Sequence, residues 1–292
     1  MTPPLDTRQV RRAFGRAAAS YAAHAVLQHE VERRLLERMD YLESAPQLVL
    51  DVGCGPGLAA AAMRARWKSS RIVALDLALP MLRRIKPGWL RPLLRVNADA
   101  RALPFADASV DVLFSNLCIQ WIDDVPALFA EFRRVLRPGA YIALSTFGPD
   151  TLYELREAWA QADRAPHVSQ FADIGRIGDA LLHAGFRDPV LDAEHFTLTY
   201  PDAQKLMREL KAIGATNADA KRLRGLTGGG RWRRAVDAYE TFRADGKLPA
   251  TYEVIYAHAW APDQGQPRRA GGGGEIATFS VDRLRGSRAS KR

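Results

Sequence analysis

From residue 47 onward, short apolar runs alternate with stretches whose apolar residues recur every three or four positions. LVLDV (48–52), RIVALDL (71–77), PLLRVNAD (92–99) and VDVLFSN (110–116) have the length and β-branched content of buried strands. Between them, LAAAAMRARW (58–67), ALPMLRRI (78–85) and VPALFAEFRRVL (125–136) carry helical spacing, and RPGAYIALSTF (137–147) reads as a turn running into a fifth strand. Strands alternating with helices of about ten residues predict right-handed βαβ units and a mostly parallel sheet. Ahead of this rhythm, Val10, Phe14, Ala18, Tyr21 and Ala25, then Val31, Leu35 and Met39, predict one or two helices.

After Phe147 the pattern changes. A helix is expected over 150–163 with Asp150 as its cap. A polar connection at 164–172, containing His167, leads to a second helix over 173–184 that Gly185 stops. A strand at 190–199, a helix at 202–213, a glycine break at 225–230, a helix at 231–244 and a last alternating strand at 251–260 complete the expectation. Residues 262–274 read as a linker, with a short edge strand expected at 275–281 before a basic end. The fold class is therefore α/β, a doubly wound, mostly parallel seven-stranded sheet. Four parts are expected: an N-terminal helical lid (1–45), a nucleotide-type core (46–147), a helical insertion with the last strands (148–261), and a flexible Gly/Arg-rich tail (262–292).

Composition narrows the function classes. A chain of 292 residues with 47% hydrophobic and 26% charged residues can bury a full α/β core. No apolar run reaches 18 residues and the N-terminus has no apolar h-region, so no membrane span or secretory signal is expected, and the chain is expected in the cytoplasm. The only cysteines, Cys54 and Cys118, sit in apolar surroundings and imply no disulfide framework. The six histidines form no close ligand cluster in sequence, so no metal is expected. The formal charge is +9, but the stretch 266–292 holds seven basic and two acidic residues, which leaves +4 for the rest. A mildly basic body suits an acidic partner. No RNA-binding motif accompanies the charge, so specific nucleic-acid binding is not expected.

The chemistry centres on Asp51-Val-Gly-Cys-Gly-Pro-Gly57, directly after a strand and opening a helix. Gly53, Gly55 and Gly57 allow a tight turn and close approach of backbone to a ligand. Asp76 ends the next strand, 19 residues after Gly57, where a carboxylate can accept hydrogen bonds from both hydroxyls of a ribose. Asp99 ends the third strand, placed to accept from an adenine amino group, and Asn116 ends the fourth. Asp51 can hold the loop or reach an amino group. With the LPFxDxSxD phrase (103–111), these residues resemble the class I methyltransferases that use S-adenosylmethionine (SAM). The resemblance implies SAM as cofactor, bound by Gln28, Asp51, Gly53, Gly55, Gly57, Asp76, Leu77, Asp99, Ala100, Asn116 and Trp121. The dinucleotide-binding alternative carries a different spacing, Gly-x-Gly-x-x-Gly.

Outside the core, RRAFGRAAASYAAHAVLQ (11–28), STFGPDTLYELREAW (145–159), the stretch 171–200, LMRELKAIGATN (206–217) and TYEVIYAHAW (251–260) are similar to the malonyl-acyl-carrier-protein O-methyltransferase family of biotin synthesis. That similarity implies methylation of the free carboxylate of a malonyl thioester on an acidic acyl carrier protein, by a monomer. The runner-up is a methyltransferase of another small molecule, such as a quinone or a free acid. A carboxylate is ionised near pH 7 and needs no general base, so the protein must position it for in-line attack and exclude water. Tyr21 and Arg156 are the expected ligands of the substrate carboxylate, with Gln28, Trp121 and His24 as further candidates. Tyr21 and Gln28 lie seven apart, so a continuous helix puts them on one face.

Overall fold

The computed structural model describes residues 5–42, 44–86, 93–223, 225 and 227–263, and the backbone of 268–269 and 275–276. Alternating apolar runs become a seven-stranded sheet. Its strands are β1 (Leu48–Val52), β2 (Arg71–Asp76), β3 (Leu94–Asn97), β4 (Val110–Ser115), β5 (Leu136–Phe147), β6 (Arg187–Tyr200) and β7 (Leu248–Trp260), in the order β3-β2-β1-β4-β5-β7-β6. The first five pair in parallel, and β7 runs antiparallel to both β5 and β6. The doubly wound expectation holds. A chain that returns through β6 into β7 inserts its last strand by a hairpin-type pairing, which explains the one reversed direction.

The pleat distributes the apolar runs to two cores. Val49, Ile72 and Ala74 join α3 (Val26–Glu37) and α4 (Leu58–Arg66) on one face. Leu50, Val52, Val73 and Leu75 join α6 (Val125–Val135) and α8 (Ile174–His183) on the other. Burial on both faces is why these strands read as continuous rather than alternating. The edge strand β6 instead alternates half-buried and exposed positions and carries charge. Two of its acids anchor the N-terminal segment: Arg34 of α3 and Arg38, at that helix's C-cap, pair with Glu194, and Arg38 also with Asp192. The Arg38 guanidinium lies 3.8 Å from the centre of the Tyr256 ring on β7.

Local signals account for several helix ends. Asp6, Asp124, Asp173 and Asp202 each accept a backbone N–H three residues on, capping α1 (Thr7–Ala17), α6, α8 and α9 (Ala203–Ala212). Gly185 adopts φ +86° just past α8, as its stop role requires. Other expectations are corrected. The N-terminal segment forms three helices, α1, α2 (Tyr21–His24) and α3, because Ala25 leaves helical geometry at φ −83°, ψ 43°. Tyr21 and Gln28 therefore lie on different helices. The stretch 78–85 yields only four helical residues, α5 (Leu79–Leu82). Asp150 caps nothing. The helix α7 (Tyr153–Ala160) starts from Leu152 at φ +54°, while the Asp150 N–H donates to Glu253 and its carboxylate meets His195. The helix expected at 231 starts earlier, as α10 (Gly229–Glu240), with Gly228 as N-cap. Residues 275–276 pair with 268–269 in a ribbon of their own rather than at the edge of the main sheet. The rest of the expected tail lies outside the described residues.

Gly57 links β1 to α4 at φ +80°, and a Cβ there would lie 2.8 Å from Cγ1 of Ile85. Gly57→Ala therefore combines backbone strain with overpacking and is expected to lose about 1–3 kcal/mol of stability in urea unfolding. A loss under about 0.5 kcal/mol, the ordinary range for an unconstrained surface site, would contradict this account of the turn.

Candidate cofactor and substrate site

Parallel pairing brings the carboxyl ends of β1 to β4 to one edge, where the glycine loop turns away from β1. The amides of Gly53 and Cys54 donate to the Leu75 carbonyl at 2.8 and 3.0 Å. The Gly55 N–H donates to Oδ2 of Asp76 at 2.9 Å, and the Ala78 N–H to Oδ1 at 2.7 Å. Asp76 thus fastens the loop to the end of β2 while each of its oxygens keeps a further acceptor direction. Gly53 sits at φ +74°, and a Cβ there would lie 2.4 Å from Sγ of Cys118, so only glycine fits beneath that thiol. Asp76 is 9% exposed, and burial raises its pKa to about 6 despite the two amides.

A cavity runs along these strand ends. Tyr21, Gly53, Gly55, Asp76, Leu77, Asp99, Ala100, Asn116 and Trp121 line it. Its continuation beneath α3 is lined by Gln28 and Asp51, again with Tyr21, Gly53, Gly55 and Asn116. Of the residues expected to hold SAM, only Gly57 stands behind the wall, where it starts α4. Asp99 forms an ion pair with Arg101 at 2.6 Å, and that hydrogen bonding holds its carboxyl below the usual range. Asn116 donates to the Gln28 carbonyl at 3.0 Å and accepts from Ser145 at 2.7 Å, tying the N-terminal cover to β5. The Phe14 and Trp121 rings meet edge-on at 5.3 Å. Asp51 is 1% exposed, and its Oδ2 has no protein partner among the described residues. Burial, then the charges of Glu32 and Asp76, push its pKa well up. A buried unpaired acceptor, two acceptor directions on Asp76 and a side-chain-free loop fit the amino, ribose and backbone-contacting parts of SAM.

Gln28 and Trp121 also line a second cavity, formed with α7, α9 and the segment 167–171. Its walls are mostly apolar: Phe147, Leu152, Leu155, Trp159, Phe171, Met207, Leu210 and Tyr252, with His167 and Lys211 among its polar members. His167 stacks on Trp159 at 3.8 Å between ring centres, and its Nε2 lies 2.9 Å from Asp163. This apolar chamber was not found from sequence, because its lining comes from helices far apart in the chain. His167 alone carried a signal, as a lone histidine in a polar connection. Glu32 and His29, which also line the first cavity, were likewise missed.

Arg156 does not line either cavity. Its Nη2 donates to the carbonyls of Pro149 and Thr151, both at 2.7 Å, and so folds the loop after β5 onto α7. His24 is exposed at the end of α2 and lines neither cavity. Away from the site, Asp150, His195 and Glu253 bring ligand-type atoms within 4.8 Å of one another, a juxtaposition of three chain-distant residues that sequence spacing does not reveal.

Comparison with known proteins agrees with this geometry. A methyltransferase-domain family matches residues 50–144. The malonyl-(acyl-carrier protein) O-methyltransferase of Xylella fastidiosa (strain M23) is 54% identical over 284 residues, covering 96% of both chains. Its counterpart in Methylovorus sp. (strain MP688) is 50% identical, covering 88% of this chain and 90% of its own. Among solved structures, the YcgJ protein of Bacillus subtilis superposes with a TM-score of 0.53 at 16% identity, over 78% of this chain and 98% of its own. The [4+2]-cyclase SpnF does so at 0.50 and 20%, over 80% and 82%. These two likenesses show the fold alone, and a cyclase on the same fold shows that chemistry resides in the site. With the whole folded chain matched at such identity and the SAM-type loop in place, the chain belongs to the malonyl-(acyl-carrier protein) O-methyltransferase family of SAM-dependent methyltransferases.

Proposed function

We propose that this chain methylates the free carboxylate of a malonyl thioester carried on acyl carrier protein, the step that starts pimeloyl synthesis for biotin. The observation that carries the reading is the junction of two cavities at Gln28 and Trp121. One is carboxylate-lined and suits SAM. The other is mostly apolar in its lining and suits a thioester arm. Bound SAM supplies a methyl group on a sulfonium. The residues here need only bring a carboxylate oxygen into line with it and keep water out.

Asp76 takes the ribose hydroxyls, Asp99 the adenine amino group, and Asp51 the amino group of the methionine part. Gly53, Gly55, Leu77, Ala100, Asn116 and Trp121 shape the walls, and Gly57 sets the direction of α4. Burial raises the pKa of Tyr21, with Glu32 and Asp76 adding to the effect, so its hydroxyl stays a donor at neutral pH and can hold one oxygen of the substrate carboxylate. Arg156 reaches that carboxylate only by exchanging its bonds to the Pro149 and Thr151 carbonyls. In the structure described, it positions the loop that carries Thr151 and Leu152 to the chamber wall. The helices α1 to α3 serve as the lid, held to β6 by Arg34 and Arg38. Arg11, Arg12 and Arg16 on α1 and Arg208 and Lys211 on α9 are exposed beside the chamber, on two helices that touch. They suit an acidic carrier. No helix among the described residues is long and apolar enough to cross a membrane. A monomer in the cytoplasm is part of this proposal.

The direct test is methyl transfer from labelled SAM to malonyl-carrier protein, with acetyl- and succinyl-carrier controls and mass spectrometry of the product. A single base-labile methyl on the malonyl group is expected. No transfer while SAM still binds would discard the substrate. Because the basic rim acts through long-range charge, kcat/KM for the carrier substrate is expected to fall severalfold between low and physiological ionic strength, and an unchanged value would remove the steering role. Asp76→Asn is expected to raise the SAM dissociation constant about tenfold or more, since hydrogen bonds to a charged acceptor contribute about 1.5–3 kcal/mol. Titration calorimetry showing unchanged affinity would contradict the ribose assignment.

A further inference from the structure

Glu32 projects from α3 into the same cavity as Asp51, the glycine loop and Tyr21. It is partly buried and accepts a hydrogen bond from the Ala59 N–H at the start of α4. The titratable groups that line the cavity with it are Asp51 from β1, Tyr21 from α2, Cys54 from the loop and His29 from its own helix, and its charge acts on Asp51 and Tyr21; Asp76 from β2 and Cys118 after β4 line the adjoining part. Two of the lining groups, Glu32 and Asp51, are carboxyls, and no lysine or arginine lines this part of the cavity among the described residues. The arginines nearest in sequence, Arg33 and Arg34, are paired with Glu30, Glu37 and Glu194. Asp51 lines the same cavity at 1% exposure; its carboxylate accepts from the Ala60 N–H, and its buried Oδ2 has no hydrogen-bond partner among the described residues. Two carboxyls lining one pocket, one from β1 and one from α3, without a cationic side chain, form a receptor for a small compact cation.

We propose that Glu32 is a further cofactor-binding residue that pairs with the α-ammonium of SAM opposite Asp51, and that SAM binding drives its proton into solvent. Burial raises the Glu32 pKa to about 7, so near neutrality a large fraction carries a proton before the ligand arrives. A bound ammonium favours the carboxylate, so the proton leaves. The sign follows from linkage: the ligand binds the deprotonated form, so affinity tightens as pH rises towards and through 7, then levels off. At pH 6.5 roughly three-quarters of a group with that pKa is protonated and available for release. Asp51 and Asp76 also have raised pKa values and contribute to the total, so the contribution of Glu32 is what a Glu32→Gln substitution subtracts.

Calorimetry in buffers of different ionisation enthalpy, run with SAM, S-adenosylhomocysteine and 5′-methylthioadenosine, separates the possibilities. Both amino-acid-bearing ligands carry the ammonium, and methylthioadenosine lacks it. Glu32→Gln is expected to lower proton release on SAM binding at pH 6.5 by roughly half a proton or more. At pH 8 it is expected to weaken SAM and S-adenosylhomocysteine about tenfold, while methylthioadenosine changes less than about twofold. Equal proton release in both proteins, or an equal loss for methylthioadenosine, would overturn the assignment. Should the variant fail to fold, the unaltered chain still decides: its affinity for SAM must tighten more steeply between pH 6.5 and 8 than its affinity for methylthioadenosine, and parallel pH profiles overturn it.

Discussion

The hydrogen bonds that run from the Gly53, Cys54 and Gly55 amides to the Leu75 carbonyl and the Asp76 carboxylate are the constraint on which the remaining architecture depends. They join the ends of two parallel strands through a turn that has no side chains in the way. They also place a buried carboxylate in the wall of the cavity at the strand ends. Because the loop is fixed from behind, the first turn of α4, the position of Ile85 and the height of Cys118 above Gly53 all follow from it. A single acid therefore performs a structural task through two amides and leaves a binding task open. Its raised pKa is the electrostatic consequence of doing both in a buried place.

Around that fixed edge the chain builds a cover whose parts come from distant segments. The N-terminal helices are tied to β6 by the Arg34 and Arg38 ion pairs and to β4 and β5 through Asn116, Gln28 and Ser145. Helices α7 and α9 enclose the apolar chamber. Gln28 and Trp121 belong to both cavities, so the junction between the two is bounded by one residue of the cover and one of the core.

The sheet was legible because burial on both faces leaves continuous apolar runs, and glycine and aspartate mark the turns. The lining of the cavity at the strand ends was legible for the same reason: Asp51 to Gly55, Asp76, Asp99 and Asn116 lie at or just past strand ends, and strand ends are read directly from the pattern. The cover was less legible. Ala25 breaks a periodic helical pattern without any Gly or Pro to announce it. Leu152 begins α7 from a left-handed conformation, where Asp150 seemed the natural cap. The stacking of His167 on Trp159 and the reach of Glu32 towards Asp51 depend on tertiary packing and have no local signature. Arg156 shows the converse: a cation well placed in sequence for a substrate carboxylate has its guanidinium bonded to the carbonyls of its own loop.

The central claim is that the cofactor lies along the strand ends with its sulfur directed to the junction at Gln28 and Trp121, and that the acyl group enters from the apolar chamber. A crystal structure of the protein with S-adenosylhomocysteine and a malonyl thioester mimic tests this most directly. The account predicts ribose hydroxyls on Asp76, the amino group between Asp51 and Glu32, and the malonyl carboxylate facing the sulfur beside Gln28 and Trp121. A nucleoside seated among Trp159, Met207 and Leu210, or a malonyl group outside the junction, would contradict it.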